Sequence, residues 1–127
     1  MSKDLGDKPE IDFSEGPPPS ELQVTDLTEG DGAEAVSGST AVVHYVGVAY
    51  STGEEFDASW NRGEPFAFPL GGGNVIAGWD RGVVGMKVGG RRRLVIPPDL
   101  AYGDRGAGAV IAAGETLIFV VDLLDVR

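Results

Sequence analysis

Six aromatic residues stand in separate segments of the chain: Tyr45, Phe56, Phe66, Trp79, Tyr102 and Phe119. A carboxylate, Asp57, directly follows one of them. Rings gathered around a few fixed polar groups are what an apolar ligand cleft needs, with the polar groups setting orientation. Asp57 and Tyr102, both near glycine-bearing loops, are the best polar candidates. The same six rings would also serve as plain core, and residue types alone leave both readings open. The sets that carry covalent chemistry are absent. The chain has no cysteine, which removes thiol chemistry and disulfides. Its single histidine, His44, leaves little room for a zinc site. Neither a Gly-x-Ser-x-Gly elbow nor a phosphate loop ending in Lys-Ser/Thr occurs. His44 falls on the strand face opposite Tyr45 and reads as structural.

These residues must be positioned by one domain, since 127 residues with 42% apolar content suffice for a single core. Ten basic against twenty acidic residues give a net charge of −10. That balance argues against nucleic acid as a partner, because phosphate binding needs an excess of Lys and Arg. No apolar run reaches signal or membrane-spanning length, so no membrane association and a cytoplasmic location are expected. A monomer is expected too, as no long amphipathic segment offers an interface.

Residues 1–20 mix charge with Gly and Pro, end in Pro17-Pro18-Pro19, and read as a disordered arm without the apolar area to offset chain entropy. Residues 21–127 form the folded domain. A first strand begins at Leu22. Thr40 to Tyr50 alternates with both faces largely apolar, as a covered central strand should. Glu55-Phe56-Asp57 returns after a turn at Thr52-Gly53. Phe66, Phe68 and Leu70 alternate again, and Arg91 to Ile96 and Thr116 to Val126 complete the set. Arg91 and Arg93 fall on what reads as a solvated strand face.

Gly71 to Met86 holds the only compact helix candidate, with Ile76, Trp79 and Val83 on one face. Glycines at 78 and 82 are poor helix formers, so this helix needs a sheet to lie against. Asp80 suits the positive end of such a helix, and Gly71-Gly72-Gly73 reads as a flexible turn. Five or six mostly antiparallel strands curled around one short helix make an α+β domain.

The residues also carry a specific resemblance. It runs through Val43-His44-Tyr45, Phe56-Asp57-Ala58-Ser59, Pro65 to Gly71 and Val75-Ile76-Ala77-Gly78-Trp79-Asp80. It continues in Arg92-Leu94-Ile96-Pro97, Ala101-Tyr102-Gly103 and Leu117-Phe119-Asp122-Leu123. In this order and spacing, over roughly residues 20–126, the chain resembles the FK506-binding-protein (FKBP) type peptidyl-prolyl cis-trans isomerases, in particular single-domain bacterial members. The resemblance implies a highly twisted antiparallel half-barrel wrapped around the short helix, with a proline pocket between them. Trp79 would be the pocket floor and Tyr45, Phe66 and Phe119 its walls. Phe56, Val75, Ile76 and Ile111 would add apolar surface. The Ile76 N–H and the Tyr102 hydroxyl would hold ligand carbonyls, Asp57 would stand at the pocket edge, and Arg62 would steady it.

What the resemblance further implies is isomerisation of X-Pro bonds in unfolded or flexible chains, without cofactor or metal. Proline-containing segments of client proteins are the implied partners, and FK506- or rapamycin-like macrolides possible ligands of the same pocket. A non-catalytic docking module using that pocket is the alternative. The chain departs from the family pattern at Ala58, at Ile111-Ala112-Ala113 and at Ala107. These changes bear on loop rigidity and substrate preference.

Overall fold

In order along the chain, the elements are β1 (Gln23–Thr28), β2 (Thr40–Ala49), β3 (Glu55–Ala58), α1 (Ser59–Arg62), β4 (Phe66–Pro69), α2 (Ala77–Gly82), β5 (Arg91–Ile96) and β6 (Leu117–Val126). A 3-10 turn, Pro98–Leu100, follows β5. The computed structural model describes residues 8–9, 11, 16–106 and 111–127. Expectations placed on residues 1–7, 10 and 12–15 of the arm, and on Ala107, lie outside the described residues.

The strands form one sheet in the order β1-β5-β6-β2-β3, with β4 also pairing with β2. Every pairing is antiparallel. The two ten-residue strands, β2 and β6, lie side by side at its centre. Alternation sorts their side chains as the sequence pattern requires. Ala41, Val43 and Tyr45 of β2 join Leu117, Phe119, Val121 and Leu123 of β6 in the main core, beside Trp79 and Val83. On the outer face Val48, Val95 and Ile118 make a small second cluster.

Against the inner face lies α2, shorter than the Gly71–Met86 stretch from which a helix was expected. Its glycines have a packing reason. A Cβ at Gly78 would sit 2.5–2.8 Å from Ile96 side-chain carbons, and one at Gly82 2.7–2.9 Å from those of Leu94. Poor helix formers are thus what lets the helix press onto β5, and tertiary contact outweighs propensity. Arg92 completes the junction, donating to the Gly82 and Val84 carbonyls at 2.9 and 3.1 Å and to Asp26. The end of α2 would otherwise leave those acceptors open.

Asp80 does more than sit near a helix terminus. Its carboxylate accepts the Gly71 N–H at 2.8 Å and the Gly73 N–H at 3.0 Å. The triglycine turn, expected as flexible, is pinned, with Gly71 and Gly73 at φ 85° and 76°.

Two further expectations need correction. The helix α1 is a second single-turn helix, too short to show a helical period in sequence. Arg91 is not on a solvated face: its Nε and Nη2 donate to Asp122 at 2.6 and 2.9 Å, and Asp122 is fully buried. A covered outer face cannot hold an unpaired carboxylate, so β5 supplies the guanidinium. Burial still pushes the Asp122 carboxyl up, against the pull of Arg91.

Part of the residue 1–20 stretch contacts this outer face. Ile11 packs on the Val48–Val95–Ile118 cluster with Tyr50. Lys8 Nζ donates to Glu55 Oε1 at 2.8 Å and Asn61 Oδ1 at 2.9 Å.

Candidate functional site

Between the inner face and α2 a cavity of about 230 Å³ opens to solvent, lined by Tyr45, Phe56, Asp57, Phe66, Asn74, Val75, Ile76, Trp79, Tyr102 and Phe119. Its floor is Trp79, 4% exposed. The Trp79 ring meets Tyr45 at 4.9 Å, Phe119 at 5.2 Å and Phe66 at 6.1 Å between centroids, all edge to face. Each such pair contributes about 0.5–1.5 kcal/mol beyond area burial, so the rings hold one another in place without a ligand. Phe68 backs the floor at 5.5 Å.

Gly47 lets the opposite wall close. A Cβ there would come within 2.6 Å of the Phe119 ring and 2.7 Å of the Phe56 ring. Those two rings meet at 5.5 Å and 89°.

The polar groups sit at the rim. Tyr45 donates its hydroxyl to Asp57 Oδ2 at 2.6 Å. Arg62 donates to Asp57 Oδ1 at 2.8 Å and to the Tyr45 hydroxyl oxygen at 2.9 Å, with its guanidinium 5.7 Å from the Tyr45 ring centroid. Burial, then the bond to Asp57, pushes the Tyr45 phenol up, which keeps it a proton donor. Tyr102 at the mouth is 41% exposed. Burial of its inner edge and the negative charge of Asp57 push its phenol up as well. Neither the Tyr102 hydroxyl nor the Ile76 N–H has a hydrogen-bond partner among the described residues. Ile76 directly precedes α2 with extended backbone, φ −60° and ψ 150°.

The structure therefore brings together Tyr45, Phe56, Asp57, Phe66, Val75, Ile76, Trp79, Tyr102 and Phe119, and holds Arg62 against them. Ile111 stands apart. It is 5% exposed within the core and does not line the cavity. Asn74 was missed, since a lone amide after three glycines reads as turn chemistry. Sequence reasoning also took Tyr45 for a wall alone; a tyrosine where a phenylalanine would pack equally well was the available signal of a hydrogen-bonded hydroxyl.

Two other hollows lack this character. One of about 150 Å³ lies among Asp26, Thr28, Glu29, Lys87 and Arg92. A broad groove of about 520 Å³ runs between Lys8, Pro9 and Ile11 and the outer sheet face. Neither is walled by rings.

A pocket that grips a ring while leaving two hydrogen-bonding groups at its mouth suits a proline flanked by peptide carbonyls. Comparison with known proteins agrees. Residues 32–124 match the family described as FKBP-type peptidyl-prolyl cis-trans isomerase. An FK506-binding protein of Streptomyces anulatus is 67% identical over 121 residues, covering 94% of this chain and 98% of the relative. A probable FK506-binding protein of Corynebacterium glutamicum is 52% identical over 119 residues, covering 94% and 98%. The crystal structure of AtFKBP13 superposes with a TM-score of 0.79 at 42% identity, covering 87% of this chain and 96% of that one. The chain belongs to the FKBP-type peptidyl-prolyl cis-trans isomerases and catalyses rotation about X-Pro bonds.

Proposed function

We propose that the cavity over Trp79 is the isomerase site. The proline ring rests on Trp79 between Tyr45, Phe66 and Phe119, while Phe56, Val75 and Ile76 close the apolar surface. The Tyr102 hydroxyl and the Ile76 N–H hold the carbonyls on either side of the scissile-free bond. Asp57, fixed by Tyr45 and Arg62, sets a local field beside the twisting imide. The observation that carries this reading is the pairing of a prebuilt ring box with two donors that no described group engages.

No bond has to break. The obstacle is amide resonance, a barrier of about 18–20 kcal/mol that holds the peptide planar. X-Pro bonds populate both isomers in unfolded chains and interconvert over tens to hundreds of seconds. Transfer from water into the ring box disfavours the charge-separated resonance form and lowers the double-bond character. A pocket shaped for the twisted bond binds the transition state better than either planar isomer. Preorganised donors and the Asp57 field act where charge redistributes, with no acid–base pair required.

The clients are proline-containing segments of unfolded or flexible chains, so the protein assists folding, and it acts as a cytoplasmic monomer. The same box accepts FK506- or rapamycin-like macrolides, whose rings and carbonyls compete for the same surfaces. A protease-coupled assay on an X-Pro peptide, with and without a macrolide, tests both statements: activity that the macrolide abolishes is expected. Asp57→Leu should retain the fold, because Asp57 is partly exposed, and lower kcat/KM roughly ten-fold. Unchanged activity in that variant would overturn the role given to Asp57.

A further inference from the structure

We infer that the buried hydroxyl of Ser59 is a positioning group that couples the protonation of His44, on the outer face, to the Tyr45–Asp57–Arg62 corner. The inference rests on the reading of that corner given above.

A gap in strand pairing explains why Ser59 is needed. Along one edge, β2 pairs with β4 from Thr40 to Val43 and with β3 from Val46 to Val48. His44 and Tyr45 fall between the two ladders. The Tyr45 N–H must nevertheless be satisfied, since a buried backbone donor without a partner is costly. Ser59, fully buried at the start of α1, accepts it at 2.7 Å. Three residues further on, Arg62 holds the Tyr45 hydroxyl and Asp57. The helix is thus fastened to Tyr45 by its backbone at one end and its side chain at the other.

The remaining capacity of the hydroxyl goes to His44. Ser59 Oγ lies 2.8 Å from His44 Nδ1 and 3.4 Å from the Tyr45 carbonyl oxygen. A hydroxyl has one proton to give. With Nδ1 bare, Ser59 donates to it, and the polarised oxygen accepts the Tyr45 N–H more strongly. With both ring nitrogens protonated, Nδ1 must donate, two N–H groups share one oxygen, and the Ser59 proton turns to the distant carbonyl. Acid therefore loosens the fastening at Tyr45.

The surroundings allow His44 to titrate in place. Its ring stacks on Trp60 of α1 at 4.2 Å and 18°. Asp122 of β6 is its cross-strand partner and is itself held by Arg91 of β5. Arg62 of α1 is turned the other way, onto Asp57 and Tyr45. Burial favours the neutral ring, with Asp122 opposing.

The test is a pH titration of the full-length protein followed by amide NMR and by kcat/KM on an X-Pro peptide. The Tyr45 amide proton should move upfield at the inflection of the His44 ring, and kcat/KM should fall about two-fold across it. Ser59→Ala should abolish both responses while His44 still titrates, and Ser59→Thr, which keeps a hydroxyl, should restore them. His44→Phe keeps the stack on Trp60, should also abolish both, and decides the matter if Ser59→Ala does not fold. A Tyr45 amide that is silent in the wild type, or that keeps its inflection in His44→Phe, overturns the inference. An amide that titrates with no change in kcat/KM upholds the coupling and overturns the role assigned to the corner.

Discussion

On their inner faces β2 and β6 present Val43, Tyr45, Phe119 and Val121 to α2, with the Tyr45 hydroxyl and Asp57 at the rim of the cavity. On their outer faces the same strands present His44 and Asp122, cross-strand partners, beside the small Val48–Ile118 patch. Inside, rings pack edge to face, and among the described residues the Tyr102 hydroxyl, the Ile76 N–H and the Trp79 indole N–H have no partner. Outside, the groups at the centre of the sheet are matched within the fold: Arg91 to Asp122, and His44 to the Ser59 hydroxyl. The inner face keeps hydrogen-bonding capacity at the cavity mouth for a ligand, and the outer face commits Asp122 and His44 to partners that hold neighbouring elements together. From that contrast, changes outside should act on stability first, and changes at the helix–sheet contact on stability and site geometry together.

The largest effect is expected at Arg91. Arg91→Met leaves Asp122 buried without its bidentate partner, and breaking a buried pair from one side costs about 3–5 kcal/mol. Chemical denaturation should show that loss, and the carboxyl's ability to take a proton should shrink it toward acid. Arg91→Met/Asp122→Leu should recover most of the stability. Retention of the full loss in the double variant would mean that the pair is not what Arg91 is for. A smaller effect is expected inside. Gly78→Ala drives a methyl into Ile96 and should cost about 1–3 kcal/mol as overpacking. Because α2 carries Trp79 and follows Ile76, that variant should also lower kcat/KM, and Ile96→Val in the same chain should relieve both. Loss of stability without loss of activity would separate the helix contact from the pocket.

The contrast between the faces was only half legible in sequence. Alternation in β2 and β6 sorted inner from outer side chains correctly, because the strand period is fixed by covalent geometry. The family motifs located nine of the cavity's lining residues, Tyr45 and Trp79 among them. What could not be read was pairing across strands. Arg91 looks solvated in a run of three arginines until β6 is seen to bring Asp122 beside it. Asp80 looks like a helix-terminus carboxylate until the turn before it folds back. The single turn of α1 is too short for any period, and it is set by Ser59 and Arg62 reaching Tyr45, contacts far apart in sequence. Local pattern reports which face a side chain takes; it carries little about which partner waits there.

The smallest effect is the most specific to the outer face. Burial lowers the His44 pKa below its ordinary 6.5, with Asp122 opposing. The unfolded chain therefore binds a proton more readily than the folded one just below that value, and stability must rise with pH across the window. Read downward, the contribution is complete above 6.5 and is lost as pH falls toward the folded-state value. Carboxylates impose their own slope further into acid, so the comparison must be with His44→Phe, which keeps the ring on Trp60 and removes the proton. Melting temperatures measured from pH 8 downward should converge for the two proteins at low pH if the neutral ring is what His44 contributes, and should separate as pH rises. Parallel curves throughout would show that His44 titrates alike in folded and unfolded chains. The outer face would then be a set of static pairs, with no proton-sensitive element behind the pocket.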